Sequence, residues 1–337
     1  MKALTIEQGS QARFVDIPEP VCGKGEVLIN VERVGLCGSD LNTWRGLNPL
    51  VNYPCIPGHE IGGTVLATGD MAGAIKPGDR VVVLPCTECG VCSSCLSGRP
   101  NACKNNQTLG VQRQGGMAQQ LTMPAHKVIV CNALSVDELA LVEPLAVGLH
   151  AARRAQINVG EWVAVIGCGV IGLGAIAAAS AMGARVIAID IDDRKRNIAL
   201  ECGAQRFLNS QQCDVAAELV LLNDGRGPEV VIEAVGNQQT IEQATGLVAF
   251  SGRVVYVGYA KQPVSYQSAQ FLMKELDIRG SRNALPADFR AVINYMKEGN
   301  CPVEELISKI AKPEGALEAM QEWTANPGKV FRILVEF

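Results

Sequence analysis

Four cysteines, Cys89, Cys92, Cys95 and Cys103, stand with two, two and seven residues between them. This spacing constrains the chain more than any other stretch. Four thiolates around Zn²⁺ settle into a tetrahedron, because the ion imposes no geometry of its own. Gly90, Gly98 and Pro100 supply the turns that bring the sulfurs to one point. The plain alternative, four free or disulfide-linked cysteines, stands beside this closed structural metal site. A metal knuckle implies a lobe too poor in apolar residues to order itself, and says little about function.

With 337 residues, the chain has room for two ordinary domains, and 48% hydrophobic residues provide their cores. A net charge of −4, with 19% charged residues, argues against nucleic acid or an anionic membrane as the main partner. The start, Met1 to Glu7, lacks the apolar core of a signal peptide. The most apolar run, Trp162 to Met182, is interrupted by glycines and reads as strand, turn and helix rather than a membrane span. With thirteen cysteines and no secretion signal, a reducing cytoplasm is expected, with metal binding preferred over disulfides.

The first 145 residues read as mostly β, with few helical periods. Leu4–Ile6, Arg13–Val15 and Val27–Val31 are β-prone and separated by turn residues, and Lys76–Leu84 looks like a turn feeding a strand. Three pieces of this half could carry chemistry: Gly35-Leu-Cys37-Gly-Ser39-Asp40, Pro57-Gly-His59-Glu60 and Val142-Glu143-Pro144. Cys, His and Glu are all zinc ligands, and a catalytic zinc needs three of them with one position open. Taken singly, Cys37 reads more often as a small buried apolar residue, and His59, one of three histidines, equally as a structural one.

From Glu161 the pattern changes. Trp162–Ile166 is a continuous apolar run, as expected of a strand buried on both faces of a parallel sheet. Gly167-Cys-Gly169-Val170-Ile171-Gly172 follows, then an alanine-rich helix to Met182, then the strand Arg185–Ile189 ending at Asp190. Strand, glycine turn, helix, strand and acid form the dinucleotide fingerprint. Gly167 permits the tight turn, Gly169 the approach of a pyrophosphate, and Gly172 close packing of helix on strand. The helix N-terminus, at Val170 and Ile171, offers free N–H groups to phosphate. Asp190 can accept from both ribose hydroxyls and would repel a 2′-phosphate, which favours NAD over NADP; Arg194 beside it could meet such a phosphate. Further strands are expected at Arg206–Asn209, Glu229–Ala234 and Gly252–Gly258. Ligands bind at the ends of parallel strands, so Val235, Gly236, Gly258 and Tyr259 are expected on the nicotinamide side.

Taken together and in order, Cys37-Gly-Ser-Asp40, Gly58-His-Glu60, the four-cysteine lobe, Glu143-Pro and the glycine turn resemble the zinc-dependent medium-chain alcohol dehydrogenase family. Within it the chain is similar to the polyol and sugar-acid branch, the sorbitol and bacterial hexonate dehydrogenases. The resemblance implies an α/β chain: a GroES-like β-rich catalytic domain over 1–145 and 284–337 with both zincs, and a Rossmann doubly wound parallel sheet over 146–283 for NAD, with the active site in the cleft. It implies Cys37 and His59 as catalytic zinc ligands, with the third being Glu60 or Glu143. Asp40 would hydrogen-bond the ligand imidazole and fix its tautomer. Ser39 would pass the substrate proton towards solvent, Lys195 would reach the adenosine ribose, and Arg282 would lie near the substrate. Zinc lowers the pKa of bound water to about 7 and acts on an alcohol hydroxyl in the same sense.

The expected reaction is hydride transfer from a secondary alcohol of a polyol or sugar acid, of galactonate, gulonate or idonate type, to NAD. With only 4% aromatic residues the pocket should be polar, and Arg45, Arg113 and Arg282 could each pair with a substrate carboxylate. A homodimer or tetramer is expected from the resemblance. Two alternatives are a threonine dehydrogenase and a non-catalytic zinc- and dinucleotide-binding redox sensor.

Overall fold

The computed structural model describes residues 1–8 and 10–337. It divides into two compact units. The first comprises Met1–Glu143, Leu285–Gly299 and Val303–Phe337, the second Pro144–Ala284 and Asn300–Pro302.

The first unit is built on a seven-stranded sheet. Its path runs Ile307–Ala311, Arg332–Glu336, Glu26–Leu36, Glu60–Thr68, Arg80–Val83 and Val128–Val130, with Gln120–Pro124 also paired to Glu26–Leu36. All neighbours are antiparallel except Ile307–Ala311 beside Arg332–Glu336. Ile29, Val34, Ile61, Val81, Met117 and Ile333 meet in one core with almost no exposed surface. The chain's last strand, Arg332–Glu336, sits in the interior of this sheet, where Leu334 faces Gly35. A helix runs from Pro286 to Lys297.

Helix Val136–Ala155 is where the structure departs most from the sequence reading. Its 20 residues include Leu139, Ala140, Leu141, Val142, Leu145 and Ala146, all buried, so no polar stripe marks a helical period. Pro144 lies inside it and reads in sequence as a breaker. Strand Glu60–Thr68 was also illegible, because Gly62 and Gly63 interrupt its apolar pattern.

The second unit holds a six-stranded parallel sheet in the order Arg206–Asn209, Arg185–Asp190, Trp162–Ile166, Val230–Glu233, Arg253–Tyr256, Asp277–Gly280. In chain order that is 3-2-1-4-5-6, the doubly wound arrangement whose strand order reverses beside the first strand. Val163, Ala164 and Val165 have no exposed surface, as a strand covered on both faces requires. Helix Val170–Ala181 follows directly, capped at Gly169.

Candidate metal centre and coenzyme site

Cys37 closes strand Glu26–Leu36 and caps helix Gly38–Trp44. His59 stands immediately before strand Glu60–Thr68, which pairs with Glu26–Leu36 through Gly35 opposite Glu60. The pairing register therefore brings two distant motifs together. The ligand atoms of Cys37, His59 and Glu60 lie within 4.8 Å of one another. His59 Nδ1, both carboxylate oxygens of Glu60 and Ser39 Oγ are buried without a hydrogen-bond partner. Unsatisfied buried acceptors are expensive unless something supplies the missing charge. A soft thiolate, an imidazole and a carboxylate converging in this way are the donor set of an open zinc site.

The electrostatics agree with that fit. Burial raises the Cys37 thiol most strongly, but its hydrogen bond to His59 and the charges of His59 and Arg332 together outweigh this and bring it down to about 7. Burial drives the Glu60 carboxyl well above the usual range, and Arg332 pulls it back only in part. Arg332 is itself buried on the last strand. Its Nε lies 3.2 Å from Glu60 Oε2, an ion pair not aligned as a hydrogen bond, and its Nη1 donates to the Leu36 carbonyl at 2.7 Å. Glu143, buried on helix Val136–Ala155, falls outside the three-residue cluster. It is near enough for the charges of His59 and Arg332 to oppose the upward push of burial on its carboxyl.

Asp40 corrects an expectation. It does not hydrogen-bond the His59 imidazole. Its Oδ2 accepts from Cys37 N at 2.9 Å and its Oδ1 from Gly58 N at 3.1 Å. As the third residue of helix Gly38–Trp44, it closes a capping box on Cys37 and so fixes the backbone of both ligand segments. The Ser39 hydroxyl caps no turn and stays available for chemistry.

The sulfurs of Cys89, Cys92, Cys95 and Cys103 also lie within 4.8 Å of one another. Cys103 Sγ accepts from Cys89 N and Asn105 N, each at 3.3 Å. Cys92 is held down to about 5, first by its hydrogen bond with Ser94. Amide donors aimed at sulfur favour thiolate and fit a closed metal site. The extra thiol Cys86 bonds Thr108 instead, at 3.6 Å.

In the second unit, Gly167 has φ +96°, and a Cβ on Gly172 would stand 1.8 Å from the Gly167 carbonyl. A Cβ on Gly169 would meet nothing, so open space adjoins the helix start at Val170 and Ile171. That is room for a diphosphate at N–H groups with no intrahelical partner. Asp190 is more committed than its sequence position implied. Its Oδ2 accepts from Cys168 N at 2.7 Å and Lys195 Nζ at 3.1 Å, and its Oδ1 from Ile191 N at 2.8 Å and Asp192 N at 3.2 Å. Its acceptor capacity is full, and Lys195 is the partner a ribose diol could displace. Arg194 is tied to Asp192 and Arg196 to Asp193, both at 2.6 Å. A cavity of about 620 Å³ opens beside these strand ends, lined by Ile191, Ser210, Cys213, Asn237, Thr240 and Leu247 among others.

Sequence reasoning missed two residues here, Arg332 and Glu233. Fully buried Glu233 ends strand Val230–Glu233, and its Oε1 accepts from Val235 N, Gly236 N and Thr240 Oγ1 at 3.0, 2.9 and 2.7 Å. It holds the turn at Gly236, which packs so closely on Gly258 that a Cβ there would lie 2.3 Å from Gly236 N. Val235 and Tyr259 stay largely exposed. The signal for both was a charged residue at the end of a largely apolar strand. Of the three candidate arginines, Arg45 and Arg282 are exposed and Arg113 is partly buried.

Residues 23–133 match the alcohol dehydrogenase GroES-like domain, and residues 170–298 match the zinc-binding dehydrogenase family. L-galactonate-5-dehydrogenase of Escherichia coli K12 is 34% identical over 308 residues, 91% of each chain. Sorbitol dehydrogenase of Bacillus subtilis is 32% identical over 345 residues, 99% of this chain and 97% of its own. Among solved structures, an alcohol dehydrogenase from Escherichia coli CFT073, complexed with the cofactor NADH, superposes with a TM-score of 0.92 at 27% identity, covering 100% of this chain and 99% of that one.

Proposed function

Because the chain belongs to the zinc-type medium-chain alcohol dehydrogenase family, we propose that it oxidises a secondary hydroxyl of a polyol or sugar acid and passes the hydride to NAD, using two zinc ions per chain. The observation that carries this is the buried cluster of Cys37, His59 and Glu60, in which His59 Nδ1 and both Glu60 carboxylate oxygens have no hydrogen-bond partner, with the equally unpartnered Ser39 hydroxyl close by in sequence. The names of the relatives support the substrate class, galactonate and sorbitol.

Cys37, His59 and Glu60 would hold the catalytic ion, with Glu143 close enough to exchange for Glu60 or to hold a water. Cys89, Cys92, Cys95 and Cys103 would hold the structural one. Zinc supplies Lewis acidity, which makes a hydroxyl easier to deprotonate and polarises a carbonyl in reverse. Ser39 would take the hydroxyl proton and pass it on towards solvent. Asp40 keeps the backbones of Cys37 and Gly58 in register, so the ligands are preorganised.

The glycine turn and the Val170 helix start bind the diphosphate, Asp190 and Lys195 the adenosine ribose, and the 620 Å³ cavity the adenine side. Val235, Gly236, Gly258 and Tyr259 border the nicotinamide. NAD is favoured over NADP because the Asp190 carboxylate would repel a 2′-phosphate, while Arg194 and Arg196 are each paired with a carboxylate. The test is a screen of polyols, hexonates and threonine with zinc-loaded protein and either NAD or NADP. NADH formation from a polyol or hexonate is expected. Formation from threonine alone, or undiminished turnover in Cys37→Ser without a second zinc, overturns the reading.

A further inference from the structure

The loop from Thr108 to Met117 lies directly on the backbone that leads into His59. Gly115 N donates to Ile56 O at 2.7 Å, Gly116 N to Gly58 O at 2.8 Å and Met117 N to Pro57 O at 3.0 Å. The fit leaves no slack: a Cβ on Gly115 would lie 2.4 Å from the Pro57 carbonyl oxygen. Arg113 is carried on this loop, its own carbonyl accepting from Gly110 N at 2.9 Å. Its guanidinium turns inward. Nη2 makes one bond, to Pro85 O at 3.2 Å, and Nε is buried with no partner. Among the described residues no carboxylate lies within ion-pair distance of it. Of the five N–H donors a guanidinium offers, most are therefore unspent. Val82 pairs with Gly62, and the same antiparallel register carried onward sets Pro85, the guanidinium's partner, beside the segment that holds His59.

A partly buried cation without a counter-ion is costly to keep. Its surroundings make it useful. The side chains around the cluster, Cys37, Asp40, Glu60 and Glu143, are acidic, and the buried cation there, Arg332, is already committed to Glu60 and the Leu36 carbonyl. A substrate bearing its own negative charge needs a further positive group. Arg45 is exposed to solvent, and Arg282 is exposed and already engaged. We propose that Arg113 receives the terminal carboxylate of the substrate, making this a dehydrogenase of sugar acids in preference to neutral alditols. The proposal rests on the dehydrogenase reading above and narrows its substrate class. The planar fork of Nε and Nη is matched to two carboxylate oxygens in a way that an ammonium is not.

The test pairs each acid with its neutral counterpart, L-galactonate with galactitol and D-gluconate with sorbitol. Zinc-loaded wild-type, Arg113→Gln and Arg113→Lys proteins are compared by NADH formation and by calorimetric binding in the presence of NADH. Wild type should prefer an acid to its alditol at least tenfold. A charge-assisted bidentate contact predicts that Arg113→Gln lowers that preference about tenfold to hundredfold. Arg113→Lys should restore part of it. Melting temperature and zinc content check that each variant folds; if the Gln variant does not, the wild-type preference and the Lys variant decide. Equal binding of acid and alditol by wild type, or an unchanged preference in Arg113→Gln, overturns the proposal. Hexonate binding that needs Arg113, without NADH from any substrate, instead overturns the dehydrogenase reading and keeps only the assignment of Arg113 as the carboxylate-binding group.

Discussion

Replacing Arg332 by leucine tests the electrostatic design of the metal centre. The guanidinium is almost fully buried, with 6% of its side chain exposed against 1% for Glu60. Two contacts fix it: Nε at 3.2 Å from Glu60 Oε2, and Nη1 at 2.7 Å from the Leu36 carbonyl. Leucine fills part of the volume but supplies neither. Glu60, whose carboxyl burial already drives far upward, then loses the cation that opposes burial most strongly. Removing one partner of a buried pair costs about 3–5 kcal/mol. At roughly 2–4 °C per kcal/mol for a chain of this class, the melting temperature should fall by about 6–20 °C. Arg332→Lys keeps the charge while losing the two-pronged reach, and should cost about half as much. Urea unfolding and thermal melts of the zinc-loaded variants read both numbers. A loss below about 1 kcal/mol for Arg332→Leu would refute the argument, since Glu60 would then not depend on its partner.

Other outcomes follow from the same structure. Cys37→Ser should cut NADH formation at least about a thousandfold while coenzyme binding, read by NADH fluorescence, is retained. Cys103→Ser, at the buried corner of the four-sulfur lobe, should release one zinc per chain and lower the melting temperature before the remaining zinc is affected; equal loss of both metals would contradict separate sites. Asp190→Ala should raise KM for NAD and narrow its advantage over NADP; an unchanged NAD to NADP ratio would show that selectivity lies elsewhere. Glu161 has a folded pKa below its ordinary 4.5, because the Asn158 bonds and the Arg253 pair outweigh burial. Its stabilisation is therefore full above about pH 4.5 and fades as pH falls through the lower folded value. Glu161→Gln should flatten that part of the acid limb in a denaturation-against-pH series, and an unaltered limb would count against the pair.

Much of the molecule was legible in the order of residues. The Trp162 strand, the glycine turn and the strand ending at Asp190 were readable because each step is local: period, turn and charge fall within about thirty neighbouring residues. The cysteine lobe was readable because its ligands are close in sequence. Helix Val136–Ala155 was not, since burial on every side erases the polar stripe that marks a helix and Pro144 points the wrong way. Among the described residues no helix is long and apolar enough to cross a membrane, as the glycine-broken run suggested.

By itself, then, the sequence determined which donors exist and which backbone turns can form, because those depend on residue identity and near neighbours. Only the tertiary structure decided how they are spent. The register of Gly35 opposite Glu60 sets Cys37 beside His59, and the last strand delivers Arg332 to Glu60 from the far end of the chain. Asp40 is diverted to two backbone amides, while Arg113 is left with donors unspent. Pairings of this kind depend on strand order and depth of burial, and neither is written in any short stretch of the chain.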